Sequence, residues 1–352
     1  MSQWEQNVRA VEPYVPGEQP DFENMIKLNT NECPYPPSIK AEEALKEMQY
    51  SRLRLYPDFH CSLLVKELAN YYHVSENQVF VGVGSDDVLA TAFLTFFNSK
   101  KPILFPDITY SFYDVWANLY QIPYECQPLD DNFRIKKEDY LKENGGIVLA
   151  NPNAPTSIFE SVELLEEIVK ANQDVVVIID EAYVDFGGES ALRLVNQYDN
   201  VLIVQTFSKS RSMAGLRIGF CIGNEKLIEA ISNVKFSINS YTMNEAALVV
   251  GKEAVIDDVY FHAIIDKVVA TRERVKKELK ELGFSFPDSK TNFLFATHKS
   301  AKAVDIFEYL KNKKIFVRYF NKPRINNYLR ITIGTDEQMD VFLTAIKEFL
   351  SN

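Results

Sequence analysis

The sequence predicts an α/β protein: a large domain on a mostly parallel sheet covered by helices, and a smaller α+β domain after it. Two observations carry this. Through the first two thirds of the chain, short continuous apolar runs alternate with amphipathic stretches of helical period, the pattern of strands buried on both faces. After Asn224 the pattern changes to a long charged helical region followed by short strands. A length of 352 residues suits two packed lobes better than one.

Taken in order, residues 1–40 are rich in proline (Pro13, Pro16, Pro20, Pro34, Pro36, Pro37) and read as an extended arm. Trp4, Tyr14, Phe22 and Tyr35 give the arm apolar surface to pack with, and the small domain is its expected partner. A helix is expected from Ser38, just past a proline pair, and another over 61–72. Strands follow at 79–82, 102–105 and 146–150, with helices beginning at Ser85 and Ser111 between them. The stretch from Glu160 to Asn172 places Val162, Leu165, Ile168 and Val169 on one helical face. "DVVVIID", "VLIVQT" and "IGFCIG" read as core strands. A charged helix is expected over 252–282, closed by Gly283, then strands at 292–296, 315–320 and 329–334. Thr335 and Gln338 form a capping box for a last helix. The expected division is 1–40 for the arm, 41–245 for the large domain and 246–352 for the small one.

Composition excludes several functions. A net charge of -11 gives no basic footprint for nucleic acid or anionic lipid, so an anion must be held locally. The 4 cysteines and 4 histidines are scattered, with no zinc spacing, and no metal is expected. The N-terminus lacks the apolar core of a signal peptide, and a cytoplasmic protein with reduced thiols is expected.

The polar residues of interest fall at successive strand ends, where open α/β sheets bind ligands. Gly82 and Gly84 precede a helix start, an arrangement that cradles anions, though a plain tight turn reads the same. "NPNAPTS" is a fixed polar loop, Asp180 ends an apolar strand with Tyr183 beyond it, and Lys209 lies just past the strand 201–206. A lysine at a buried sheet edge suits Schiff-base chemistry, and Arg217 suits a phosphate; two snorkelling side chains are the plainer alternative. An amine for an aldehyde, a carboxylate for a pyridinium nitrogen, a phenol and a phosphate cup together describe a pyridoxal-phosphate site.

At this point the chain resembles the fold type I pyridoxal-phosphate aminotransferases, and within them the histidinol-phosphate aminotransferase branch. The resemblance runs in order through "PYVPG", "KLNTNECPYPPS", "RLYPD", "GVGSDD", "ITYSFY", "NPNAPTS", "DEAYVDF", "TFSKSRSMAGLRIGF", "FVR" and "LRITIGT". It implies a seven-stranded sheet and a ping-pong transfer of an amino group to 2-oxoglutarate. Lys209 would bind the cofactor's aldehyde, Asp180 its ring nitrogen and Tyr183 its phenolate oxygen, with Tyr110 stacked on the ring. Ser85, Asp86, Thr206, Ser208 and Arg217 would form the phosphate cup. Tyr56 would reach the cofactor phosphate of a neighbouring subunit, which implies a homodimer with a shared site. Tyr14, Asn31, Arg318 and Arg330 would hold the substrate. The chain departs from the family pattern at Val83, at Ser157 and at Ala154, where an asparagine usually contacts the ring oxygen; Asn153 is the expected stand-in. An aromatic amino-acid aminotransferase, a threonine-phosphate decarboxylase and a non-catalytic cofactor-binding protein stay open as alternatives.

Overall fold

A computed structural model describes residues 2–14, 18, 20 and 24–351. Its centre is a seven-stranded sheet in the order Val79–Gly82, Gly219–Gly223, Val201–Thr206, Val177–Asp180, Gly146–Ala150, Ile103–Pro106, Tyr124–Gln127. All strands run one way except Gly219–Gly223, which is antiparallel to both neighbours. The reason is the connection. A parallel return needs a crossover, usually a helix, whereas residues 207–218 hold only the single turn Ala214–Leu216. The chain therefore doubles back at the sheet's carboxyl edge, and this return loop carries Lys209 and Arg217.

The strands alternate between two cores, as the period of two requires. Ile147, Leu149, Val177, Ile179, Val201 and Ile203 face the helices Ser62–Tyr72, Val162–Ala171 and Glu245–Ile256. Val148, Ile178, Leu202 and Val204 face Ser85–Phe96, Tyr113–Tyr120 and Glu225–Ile238. Tyr124–Gln127 is a strand that the apolar pattern does not announce. It sits at the sheet's edge with three of its four residues exposed, so it carries no apolar run.

The expected helix over 252–282 is two helices, Glu245–Ile256 and Asp258–Glu281, divided at Asp257. The first buries Ala247, Leu248, Val250, Ala254 and Val255 in the large-sheet core. The second begins a separate core with Phe261, Ile264, Ile265 and Val268. The change of core thus falls at Asp257, later than the division expected at 246. Gly283 follows the second helix with φ +90, the left-handed turn that favours glycine. A four-stranded antiparallel sheet completes this part, in the order Arg318–Tyr319, Leu329–Thr332, Phe293–His298, Phe284–Ser285.

The run 315–320 is not one strand. Ile315–Phe316 pairs in parallel with Ile26–Lys27 of the N-terminal arm, and Arg318–Tyr319 pairs with Leu329–Thr332. Further back the arm touches the other lobe: Tyr14 stacks on Phe112 at 4.2 Å, and Arg9 donates to the Leu119 carbonyl. Trp4 is exposed, against the expectation that it packs, and Phe22 lies outside the described residues. No described helix is long and apolar enough to cross a membrane.

Candidate active site

A cleft of about 1150 Å³ opens at the carboxyl edge of the large sheet, between the two lobes. Tyr14, Asn31, Tyr110, Tyr183, Lys209, Arg318 and Arg330 line it, residues that lie hundreds of positions apart in sequence.

Asp180 ends its strand below the cleft and is buried. Its Oδ2 accepts from the Tyr113 hydroxyl at 2.8 Å and its Oδ1 from the Ala182 N–H at 3.2 Å. Burial pushes its pKa up to about 6, against those two bonds and the Lys209 charge, which favour the ionised form. A buried carboxylate without a cation in contact is a site prepared for one. Lys209 Nζ lies 5.8 Å from the Tyr183 ring centroid and donates to the Thr30 carbonyl at 3.3 Å. The Tyr183 hydroxyl accepts from Asn31 Nδ2 at 2.9 Å.

The anion cup forms where the return loop meets the helix Ser85–Phe96. Gly84, at the N-cap, supplies no side-chain cap, so the first-turn N–H groups of Ser85 and Asp86 keep their donors for an anion. Arg217, in the left-handed region at φ 55, lies over this terminus. Its Nη1 reaches Ser208 Oγ at 3.4 Å and its Nη2 reaches Asp86 Oδ2 at 3.3 Å. Thr206 Oγ1 accepts from the Ser208 N–H at 3.1 Å and lies 3.0 Å from Ser208 Oγ. Two glycines make this approach possible. A Cβ on Gly84 would stand 2.5 Å from Arg217 Nη2, and one on Gly219 would stand 2.2 Å from the Ser85 nitrogen. Behind the cup, Asp87 accepts from the Val83 N–H at 2.9 Å and from the buried Lys235 at 2.6 Å. Tyr110, whose phenol burial holds well above the usual range, donates to Asp86 Oδ1 at 2.7 Å.

At the opposite side, Arg318 and Arg330 are directly paired across two antiparallel strands. Like charges so placed repel. No carboxylate pairs with either among the described residues. Arg330 donates to the Asn29 carbonyl at 2.8 Å, but its Nε is buried without a partner, and burial lowers its pKa. Two adjacent guanidinium groups with spare donors form a receptor for a dianion.

Two predicted residues are not brought here. Asn153 turns away from the cleft: its amide donates to the Ile108 carbonyl and Thr156 Oγ1, and its oxygen accepts from Thr109 Oγ1. Both amide hydrogens are thereby used, so it does not stand in for an asparagine at Ala154, which lines the cleft. Tyr56 is exposed and lies against Tyr241 at 4.7 Å, outside this chain's cleft. Tyr113, not among the residues the sequence points to, joins the site through Asp180, and its spacing from Tyr110 is the one signal of it. The carbonyls of Asn29 and Thr30 carry no sequence signal at all.

The residues fit pyridoxal phosphate. The glycine cradle, open helix terminus and Arg217 suit its phosphate, Asp180 its ring nitrogen, and Lys209 its aldehyde.

Comparison with known proteins places this geometry among relatives. The profile of the aminotransferase class I and II family matches residues 23–346. The chain is 52% identical over 349 residues to the histidinol-phosphate aminotransferase of Clostridium beijerinckii, covering 99% of this chain and 98% of the relative. It is 49% identical to the enzyme of that name from Lactococcus lactis subsp. cremoris, over the same shares. Among solved structures, the histidinol-phosphate aminotransferase of Sinorhizobium meliloti in complex with pyridoxal-5'-phosphate superposes with a TM-score of 0.85 at 22% identity, covering 93% of this chain and 91% of that one.

Proposed function

The chain belongs to the class I and II aminotransferases, and on that premise we propose that it uses pyridoxal phosphate to move the amino group of histidinol phosphate to 2-oxoglutarate. The observation that carries the substrate is the Arg318–Arg330 pair. Two unneutralised guanidinium groups, one with a buried spare donor, suit a phosphate monoester better than a neutral or aromatic side chain. The names of the curated relatives agree with it.

The bound cofactor supplies an electron sink for charge developing at the substrate's amine-bearing carbon. The chain's own groups do the rest. Asp180 keeps a cation at the ring nitrogen by opposing its charge in a buried place. The cup of Ser85, Asp86, Thr206, Ser208 and Arg217 anchors the phosphate and sets the ring's position. Tyr110 forms one wall. Lys209 would hold the cofactor's aldehyde, and its amine nitrogen is the group that would accept the proton of the substrate's amine-bearing carbon. Tyr14 closes the dianion pocket beside the two arginines.

A homodimer belongs to the same proposal, with Tyr56 completing the neighbour's phosphate cup. Tyr50, Leu53, Leu55 and Tyr56 form an exposed apolar stretch that supports it. Incubating purified protein with histidinol phosphate and 2-oxoglutarate tests the function. Glutamate formation, with initial rates giving parallel double-reciprocal lines, is expected. Glutamate from phenylalanine alone, or carbon dioxide from threonine phosphate, overturns the substrate assignment.

A further inference from the structure

The most constrained residue beside the cleft is Asn31. Its backbone is left-handed at φ 57 and its side chain is fully buried. Its N–H donates to Thr332 Oγ1 at 3.1 Å, and its carbonyl accepts from Asn292 Nδ2 at 2.9 Å. The side-chain amide lies between two hydroxyls, Thr332 at 3.1 Å from Oδ1 and Tyr183 at 2.9 Å from Nδ2.

The Thr332 hydroxyl accepts from the Asn31 N–H and donates its hydrogen to Asn31 Oδ1, so the amide presents its oxygen to Thr332 and its NH₂ to Tyr183. The NH₂ end then faces Tyr183 and can only donate, so the Tyr183 oxygen is the acceptor. Its own hydrogen is left to point elsewhere, and the cleft is the open direction.

The geometry assigns Asn31 as a positioning residue: it aims the Tyr183 hydroxyl as a donor at the phenolate oxygen of the cofactor. The chain has reason to need this. Ala154 has no donor, and both amide hydrogens of Asn153 are spent on the protein. The directed Tyr183 then carries a contact that two side chains would otherwise share. Asn31 acts on the cofactor through Tyr183. The inference rests on the pyridoxal-phosphate reading of the site.

The test uses the holoenzyme and the pH midpoint of the bound cofactor's visible absorbance change. A donor at the ring oxygen stabilises negative charge there and so weakens that oxygen's hold on the proton of the lysine-linked nitrogen. Losing the donor raises the midpoint. Lys209, Asp180, Tyr110, Tyr113 and Arg330 face the same space and are untouched by the substitutions. Tyr183→Phe is expected to raise the midpoint by about one unit, the size of a single strong hydrogen bond to a charged form. Asn31→Ala should raise it in the same direction by less. The double variant should match Tyr183→Phe alone, because Asn31 has no other route to the cofactor. An unmoved midpoint in Asn31→Ala, or additive shifts in the double variant, overturns the assignment. Thr332→Val gives an independent check if Asn31→Ala does not fold: it unpins the amide and should give a partial upward shift, and no shift overturns the assignment. A wild-type protein that shows no cofactor absorbance at all overturns the cofactor reading instead, so the two failures are distinct.

Discussion

Asp180 and the arginine pair show single residues held in places that cost stability. Burial raises the Asp180 pKa from 3.8 to about 6, so the folded protein binds a proton there that the unfolded chain has already lost. That contribution is fully present below pH 3.8 and is lost as pH rises through about 6. Asp180→Asn should therefore stabilise the cofactor-free protein above pH 6, on the order of 1–3 kcal/mol, in thermal melts. The same change should lower kcat by about 10²-fold or more, since a neutral amide no longer holds the ring nitrogen's charge. Arg330 makes the corresponding case for substrate. Arg330→Leu should weaken histidinol phosphate binding by about 2–5 kcal/mol, read as a raised KM, and Arg330→Lys should recover only part of it because the fork is lost. Asp180 was legible from its place at the end of an apolar strand, whereas Arg330 was marked only by the family resemblance. The Asn153 role was not legible. A change of one position in "NPNAPTS" decides which side chain faces the cleft, and only the loop's own hydrogen bonds reveal it.

The return loop between Thr206 and Gly219 is the element on which the site depends. Its brevity forces the antiparallel strand, and its two ends bring the lysine and the arginine to one place. Gly219→Ala places a Cβ against the backbone of Gly84 and Ser85, atoms that no rotamer change can move aside. Such overpacking costs about 1–3 kcal/mol and falls on the phosphate cup. Equilibrium dialysis should show about tenfold or greater loss of pyridoxal phosphate affinity, with far less effect on unphosphorylated pyridoxal. At this scale the apolar runs revealed the interior strands, because these are buried on both faces. They did not reveal Tyr124–Gln127, whose residues meet water at the sheet's edge. Nor did helical period reveal the break at Asp257, because charged faces continue on both sides of it.

At the scale of the molecule, two lobes meet at one cleft, and the proposed dimer would bring a partner to it. If Tyr56 serves a neighbouring subunit, the inactive variants Tyr56→Ala and Lys209→Ala should regain activity when mixed and allowed to exchange subunits. Sedimentation should show a dimer throughout; a monomeric active protein contradicts it. Within one chain, a comparable role falls to residues 26–32. They pair with Ile315–Phe316, and they offer Asn29's carbonyl to Arg330, Thr30's to Lys209 and Asn31's amide to Tyr183. The bonds from Asn29 and Asn31 to the last strand span 301 residues. During synthesis this segment emerges 301 residues ahead of its partners in the last strand and must wait for them. The large sheet, with its nearer pairings, has all of its strands once Gly223 is made. Loop closure over such a separation is slow to find and comes late. Lys209 is thus enclosed last, and hydrogen exchange during refolding should protect the amides of the large sheet before that of Asn31.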